Sequence, residues 1–135
     1  MQTLYISDDQ NASLFFNEQF FEIKLKGRIE DKIYKRINRK LLKLVQEKDC
    51  HKIVYDFEKL EHSDVISRAW YSCLFVPELF NRHGSSFTFA IVKSKNSFEN
   101  RNAEIMFQTN ARCGQKGELR YFNTTLDAES WISTN

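Results

Sequence analysis

The chain has 135 residues, of which 41% are hydrophobic and 28% are charged, and its formal net charge is +2. This length and balance predict a single globular domain over residues 1–135, large enough to fold without disulfides or a structural metal. So small a net charge does not indicate a nucleic-acid-binding protein. The N-terminus lacks a basic segment followed by an apolar core, and no apolar run approaches ~18 residues, so we expect neither a signal peptide nor stable membrane anchoring.

The residues that most often carry chemistry are scattered. Three cysteines in odd number, without a Cys-x-x-Cys pair, favour free thiols in a reducing cytoplasm: Cys50, Cys73 and Cys113. The three histidines lack metal-ligand spacing: His51, His62 and His83. No nucleophile–base pattern is evident either. The sequence therefore predicts a protein that is not an enzyme, with no catalytic residues, no metal and no cofactor.

The N-terminal segment predicts an antiparallel meander of three strands, over residues 3–7, 14–16 and 20–26. Asp- and Asn-rich turns separate these strands. In the third strand, apolar residues alternate with Glu22 and Lys24, which is the period of a strand buried on one face only. Gly27 ends this pattern.

From residue 29 the apolar positions recur every three or four residues, which predicts a helix over residues 30–48. A short β-rich run follows at residues 52–57, and then a helix over residues 64–80 in which Pro77 should kink or end the regular part. Residues 87–93 form the most strand-like run. The next helix has cap candidates at residues 94–97 and a stopping glycine at Gly114.

The C-terminal segment is the most informative part of the chain. Residues 119–122 predict a strand, and Thr124 with Asp127 resembles a capping box for a last helix that carries Trp131 and Ile132. The predicted order is therefore β-β-β-α-β-α-β-α-β-α. This order indicates an α/β fold: a mixed sheet of four to five strands, with an N-terminal antiparallel meander and about four helices packed on it.

Several phrases in this order resemble the STAS family, the fold of anti-sigma-factor antagonists, and in particular its variant branch of stand-alone bacterial proteins. Each phrase is weak alone, and their order and spacing carry the resemblance over nearly the whole chain. The phrases are Lys24-Leu25-Lys26-Gly27, Ile53-Val54-Tyr55-Asp56-Phe57, Phe87-Thr88-Phe89-Ala90-Ile91-Val92, and Leu119-Arg120-Tyr121-Phe122 continuing to Ala128-Glu129-Ser130-Trp131-Ile132.

The resemblance implies a phosphoacceptor serine where a helix follows the central strand, because a phosphate there meets free backbone N–H groups and the positive end of the helix dipole. This chain departs from that pattern. Asp56 matches the strand aspartate and Asp64 the motif aspartate, but the acceptor position holds Ile66. Ser63 and Ser67 lie within a turn of it, either as surrogate acceptors or as ordinary cap and surface serines.

What the resemblance implies is a non-enzymatic, cytoplasmic regulatory or scaffolding protein that signals through contact with a protein partner. The family's partner surface maps onto the loop and helix start at residues 58–68. The candidate partner-binding residues are Asp56, Glu58, Ser63, Asp64, Ser67 and Arg68. Asp56 ends a central strand, where α/β folds place ligand groups, but it equally fits a loop cap.

The aromatic residues of the second and third helices suggest an alternative. Six large rings on these two helices exceed what one sheet face can cover, although part of the set belongs to the core, and the variant branch is similar in architecture to CRAL-TRIO lipid-transfer domains. The six are Trp70, Tyr71, Phe75, Phe80, Phe98 and Phe107. In that alternative the protein carries a small apolar, lipid-like ligand between helices and sheet, in a pocket lined by Trp70, Phe75, Phe98 and Phe107. Surplus aromatic surface also predicts a possible homodimer.

The first long helix carries a basic face. Its outward side chains favour a solvated surface, and the alternatives are an anionic membrane surface or nucleic acid. Nucleic acid would also require placed aromatics or a known motif, and neither is evident. The basic residues are Arg28, Lys32, Lys35, Arg36, Arg39, Lys40, Lys43 and Lys48.

Overall fold

The computed structural model describes residues 1–134. Its strands and helices alternate as the sequence predicts, with two additional short strands. In chain order they are β1 (Gln2–Ile6), β2 (Ala12–Phe16), β3 (Phe21–Leu25), β4 (Gly27–Ile29), α1 (Asp31–Lys48), β5 (Lys52–Asp56), β6 (Leu60–Ser63), α2 (Val65–Trp70), a π-helical segment (Tyr71–Phe75), α3 (Val76–His83), β7 (Thr88–Val92), α4 (Ser97–Arg112), β8 (Leu119–Phe122) and α5 (Thr125–Ser133).

Six strands form one mixed sheet in the order β1-β2-β3-β5-β7-β8. The first three are the predicted antiparallel meander, and β3, β5, β7 and β8 run parallel to one another. Because parallel neighbours need a crossover, each later strand is reached through helical chain. The predicted α/β class, meander and helices are confirmed. The predicted sheet had four to five strands, and the observed sheet has six. The number is larger because all six strands of the predicted order join this one sheet.

The two faces of this sheet are covered differently. Strand alternation sends Tyr55 and Phe89 to the face that carries α1, α2, α3 and α4, where the larger core lies. It sends Val54 and Ala90 to the other face, where they pack against Ile132 of α5. A single short helix therefore covers the second face.

This second helix layer corrects one sequence expectation. The alternation in β3 places Glu22 on the solvent side, yet its side chain is fully buried, whereas Lys24 remains 48% exposed. The Glu129 side chain of α5 lies close enough to Glu22 to contribute to raising its pKa. A strand pattern alone does not reveal that a distant helix covers part of the polar face.

The sequence analysis missed a second, two-stranded sheet made by β4 and β6. The two strands pair in parallel, with Ile29 opposite Ser63. Gly27, at a φ of +66°, turns the chain out of β3 into β4. Strands of three and four residues contain too few alternations to show a period, which explains why they were not predicted.

The helical path from α2 to α3 is continuous but irregular. A π-helical segment, Tyr71–Phe75, separates α2 from α3, and Pro77 lies in the first turn of α3. Proline lacks the backbone N–H that would donate into the preceding turn, so the regular hydrogen-bond ladder is disturbed here. The predicted interruption at Pro77 is confirmed, although the chain continues as a helix to His83.

The predicted caps are present at the later helices. Thr124 Oγ1 accepts a hydrogen bond from the Asp127 N–H at 3.2 Å, and Asn96 Oδ1 accepts one from the Glu99 N–H at 3.1 Å. After α4 the chain turns at Gly114, with a φ of +85°. These local interactions fix where α4 and α5 begin and where α4 ends.

Candidate functional site

The start of α2 is positioned by the short strand that precedes it. On one side β6 pairs with β4, and on the other the Ser94 hydroxyl donates to the Leu60 carbonyl oxygen at 2.7 Å. Because β6 is held from both sides, it fixes the position of Ser63 and of the first turn of α2 on the face of the sheet that carries α1 to α4. The predicted loop at residues 58–68 is thus partly a strand.

A buried polar network anchors this turn to α4. Glu99 accepts hydrogen bonds from the Ser63 N–H at 3.0 Å and from the Ser63 hydroxyl at 2.9 Å. The Arg68 guanidinium donates to the Ser63 carbonyl oxygen and hydroxyl. Ser63 and Glu99 are almost fully buried. A carboxylate accepting two hydrogen bonds in a buried place holds the two elements together strongly.

A second polar contact anchors the same turn to α1. The Ser67 hydroxyl donates to Asp31 Oδ1 at 2.8 Å, and Lys35 Nζ lies 2.9 Å from Asp31 Oδ2. The hydrogen bond from Lys35 does most to hold the pKa of the Asp31 carboxyl below its usual value; burial opposes it, and the Ser67 hydrogen bond adds a smaller lowering effect. The first turn of α2 is therefore fixed between α1 and α4.

Between these anchors the turn exposes two apolar side chains. Val65 is 72% exposed and Ile66 is 62% exposed. Ile66 stands at the position that the family resemblance assigns to the phosphoacceptor. Ser63 and Ser67, the possible surrogates, are both buried with their hydroxyls engaged. A modifying enzyme would need this turn to open before it could reach either hydroxyl.

Asp64 occupies the N-cap position of α2 without a side-chain cap hydrogen bond. Its carboxylate instead lies 3.2 Å from Nε2 of His62, and both side chains are more than two-fifths exposed. Exposed pairs of this kind stabilise a fold little. Asp64, Arg68 and His62 therefore form a polar border around the apolar pair.

Asp56 and Glu58 belong to a different place, the carboxyl edge of the sheet beside α5. Asp56 Oδ1 accepts from the Glu58 N–H at 3.1 Å, and Oδ2 accepts from the Thr125 hydroxyl at 2.8 Å. Both residues line a polar cavity of about 280 Å³ together with Lys24 and Lys26. Asp56 thus caps a loop and holds the start of α5, whereas four of the six candidate residues lie together at the start of α2.

The four aromatic candidates do not surround one cavity in the described residues. Phe75 and Phe107 are buried within the packed core, with Phe107 against four other rings. Trp70 stacks near Phe75, at 5.4 Å between ring centroids, while Phe98 is 65% exposed. The carrier alternative required these rings to line a shared pocket, and the geometry gives it no support.

The remaining chemistry-bearing groups are dispersed. Within residues 1–134, no group of three His, Cys, Asp or Glu side chains is placed to hold a metal ion. Cys50 is buried and burial raises the pKa of its thiol, whereas Cys73 is exposed. No helix among these residues is long and apolar enough to cross a membrane.

Comparisons with known proteins bear on the fold. No protein-family model and no curated protein matches this sequence. Among solved structures, the chain is similar to an uncharacterized protein of the DUF3478 family from Shewanella loihica PV-4, described as having a SpoIIAA-like fold. The match has a TM-score of 0.57 and 16% identity, and covers 90% of this chain and 91% of that one. This chain has a SpoIIAA-like fold. That fold is the STAS and anti-sigma-factor-antagonist fold which the sequence phrases resemble.

In this SpoIIAA-like chain, sequence reasoning missed Glu99 and Asp31, the two acids that hold the first turn of α2. Each contacts a serine 36 residues away in the sequence. Helical periodicity explains neither contact, because each joins two separate elements. No signal in a single sequence pairs residues at that distance.

Replacement of Glu99 by Gln tests the anchoring network. Gln retains one carbonyl acceptor but presents an NH₂ group in place of the second carboxylate oxygen, so the Ser63 hydroxyl can no longer donate to it and a charge-assisted hydrogen bond is lost. We expect the free energy of unfolding to fall by about 1–3 kcal/mol in urea titration. Glu104→Gln, at an exposed site on the same helix, is the control and should change it by less than about 0.5 kcal/mol. Equal stability of the two variants would contradict the network.

Proposed function

We propose that this protein is a non-enzymatic regulatory or scaffolding protein that acts through protein–protein contact at the first turn of α2. The observation that carries the proposal is the exposure of Val65 and Ile66 on a turn whose neighbours are held rigidly. Two branched apolar side chains in water favour burial against a partner. A rigid turn also loses little conformational entropy when it binds.

The composition of this surface fits a protein partner. Val65 and Ile66 form an apolar centre, and Asp64, Arg68 and His62 form a polar border. Protein interfaces have this arrangement, with an apolar core and a polar rim. The SpoIIAA-like fold supports the regulatory reading, because this fold is generally non-catalytic.

The isoleucine at the acceptor position distinguishes this protein from a phosphorylation-controlled antagonist. Ile66 has no hydroxyl, and the hydroxyls of Ser63 and Ser67 are buried in hydrogen bonds. We therefore propose that partner binding here is not switched by phosphate at this turn. A cytoplasmic location fits the free thiols. Homodimer formation stays a prediction, to be measured by light scattering.

Affinity capture with Ile66→Glu tests the proposed surface. A charge at this exposed position should abolish partner recovery by placing an unpaired carboxylate in the interface, while the fold is retained. The matched control is Leu126→Glu, because Leu126 is 75% exposed on α5, on the opposite face of the sheet. Tagged wild type and both variants are compared by quantitative mass spectrometry in lysate of the source organism.

The expected result is a protein recovered by the wild type and by Leu126→Glu and reduced at least about tenfold with Ile66→Glu. Circular dichroism of each variant establishes that it is folded. Recovery of the same proteins in the same amounts by all three would remove the first turn of α2 as the contact surface.

A further inference from the structure

A second surface lies between α1 and the helix that runs through α2 and α3. It is a shallow groove of about 570 Å³, lined on the α2–α3 side by Trp70, Leu74 and Pro77 and bounded on the α1 side by Arg39. Two polar residues also line it, Glu78 and Asn81, and the Glu78 carboxylate is paired with Arg82 at 2.9 Å. Leu74 is 63% exposed, and Phe75, which is 1% exposed, belongs to the floor of the groove. The groove thus presents apolar surface in a concave shape.

A row of basic side chains runs along α1 beside this groove. The row extends over 12 residues, from Lys32 to Lys43, which corresponds to about 17 Å of helix, or three turns. Its acid, Asp31, is already paired with Lys35 and Ser67. The members of the row, together with Asp31, line one continuous surface: Lys32, Lys35, Arg36, Arg39, Lys40 and Lys43.

Arg39 belongs to both the groove and the basic row. Its guanidinium lies over the Trp70 ring, 5.3 Å from the ring centroid. This cation–π contact fixes the planar group at the edge of the groove, where its N–H donors are placed to meet a carboxylate. Apolar and basic surfaces are therefore joined without a gap.

We propose that this groove and the basic row together bind an acidic amphipathic helix of a protein partner. An α-helix is convex and about three turns of it match the length of the row. Its apolar side would enter the groove between Trp70 and Leu74, and its carboxylates would face α1. The complementary charge speeds association and selects the partner.

The shape and chemistry of the surface favour this occupant over other anionic partners. A bilayer is nearly flat and leaves a concave groove unfilled. A single-stranded nucleic acid binds on aromatic stacking platforms, but beside Trp70 the groove offers the aliphatic side chains of Leu74 and Pro77. An acidic amphipathic helix can place its apolar side chains in the groove and its carboxylates against the basic row of α1 at the same time.

Three synthetic 18-residue peptides of equal length test the proposal by fluorescence anisotropy with the full chain. The first is a helix-forming amphipathic sequence with leucines at i, i+3, i+4 and i+7 and with glutamates and alanines in equal numbers elsewhere, which limits repulsion between like charges. The second has the same composition in scrambled order, and the third has lysine for each glutamate. We expect the first to bind at least ~tenfold more tightly than either of the others, with an affinity that falls as salt rises.

Variants of the protein locate the binding site. Arg36→Glu with Lys43→Glu should weaken binding of the acidic helix at least ~tenfold, whereas Arg101→Glu with Arg112→Glu, an equal change of charge on α4, should not. Leu74→Glu should weaken it similarly, and its control, Ile105→Glu, lies at a site that is 60% exposed on α4.

Several outcomes would overturn the proposal. These are equal binding of the three peptides, equal effects of the variants and their controls, or tighter binding of single-stranded DNA or phosphatidylserine vesicles than of the acidic helix. The proposal does not depend on the contact surface at the first turn of α2. Ile66→Ser, which adds no charge one turn before Trp70, should weaken partner recovery but leave peptide binding unchanged. Failure of one proposal is therefore distinguishable from failure of the other.

Discussion

Replacing Phe107 by Ala is expected to lower the free energy of unfolding by about 3–5 kcal/mol, because it removes a large side chain from a packed core. The Phe107 ring lies 5.6 Å from the rings of both Tyr55 and Tyr71, and 6.3 Å from those of Phe57 and Phe89, between centroids. These rings come from β5 and the residue after it, from β7 and from the π-helical segment, whereas Phe107 itself is on α4. Truncation therefore leaves a cavity that no single element can close.

The control for this substitution is Phe98→Ala on the same helix. Phe98 is 65% exposed, so its truncation should cost less than about 1 kcal/mol. Guanidinium titration of both variants measures the difference. If Phe107 instead lined a pocket for an apolar ligand, the two variants without ligand would be similarly stable, which would contradict the packed core and revive the carrier alternative.

Glu22→Gln is expected to change how stability depends on pH. Glu22 is fully buried in β3, and Lys24 Nζ lies 3.5 Å from its Oε2. Burial, followed by the neighbouring Glu129 carboxyl, raises the pKa of Glu22 to about 8, and the favourable charge of Lys24 does not offset them. Asp56, on the adjacent strand, raises the pKa of Glu22 slightly further. The folded protein thus favours the protonated acid.

The direction of the effect follows from comparing the folded and unfolded states. The pKa of Glu22 rises from 4.5 in the unfolded chain to about 8 in the folded one, so folding is favoured most below pH 4.5. This contribution is lost as pH rises from 4.5 through about 8. The wild type should lose on the order of 2–4 kcal/mol of stability over that window. Glu22→Gln, which cannot ionise, should not lose it.

Urea titrations between pH 5 and pH 9 measure this difference. The hydrogen bond and the like charge of Glu129 both raise the pKa of Glu22. Glu129→Gln removes that charge, so the fall in stability should move to lower pH. Glu118→Gln, at an exposed site, is the control and should follow the wild type. Parallel pH profiles for the wild type and Glu22→Gln would contradict a buried, protonated acid.

The architecture was predictable because its elements have strong local signals. The alternation in β3, the three-to-four-residue period of α1 and the Thr124–Asp127 cap each specify a local structure from neighbouring residues alone. The order of such elements then restricts the topology, since parallel strands require crossovers. The meander followed by alternating helices and strands was therefore correctly derived.

The candidate site was only partly predictable because its geometry depends on distant contacts. The loop and helix start at residues 58–68 were identified from family resemblance, but Glu99 and Asp31 reach them from 36 residues away. Burial of Glu22 depends on α5, at the other end of the chain. Local patterns carry no record of which distant element supplies a partner.

Hydrogen–deuterium exchange of the chain alone and with its captured partner tests the contact surface most directly. The account predicts slower exchange on partner binding in backbone amides of residues 60–70, where β6 delivers the turn that exposes Val65 and Ile66. Protection confined to other segments, with unchanged exchange at residues 60–70, would contradict it.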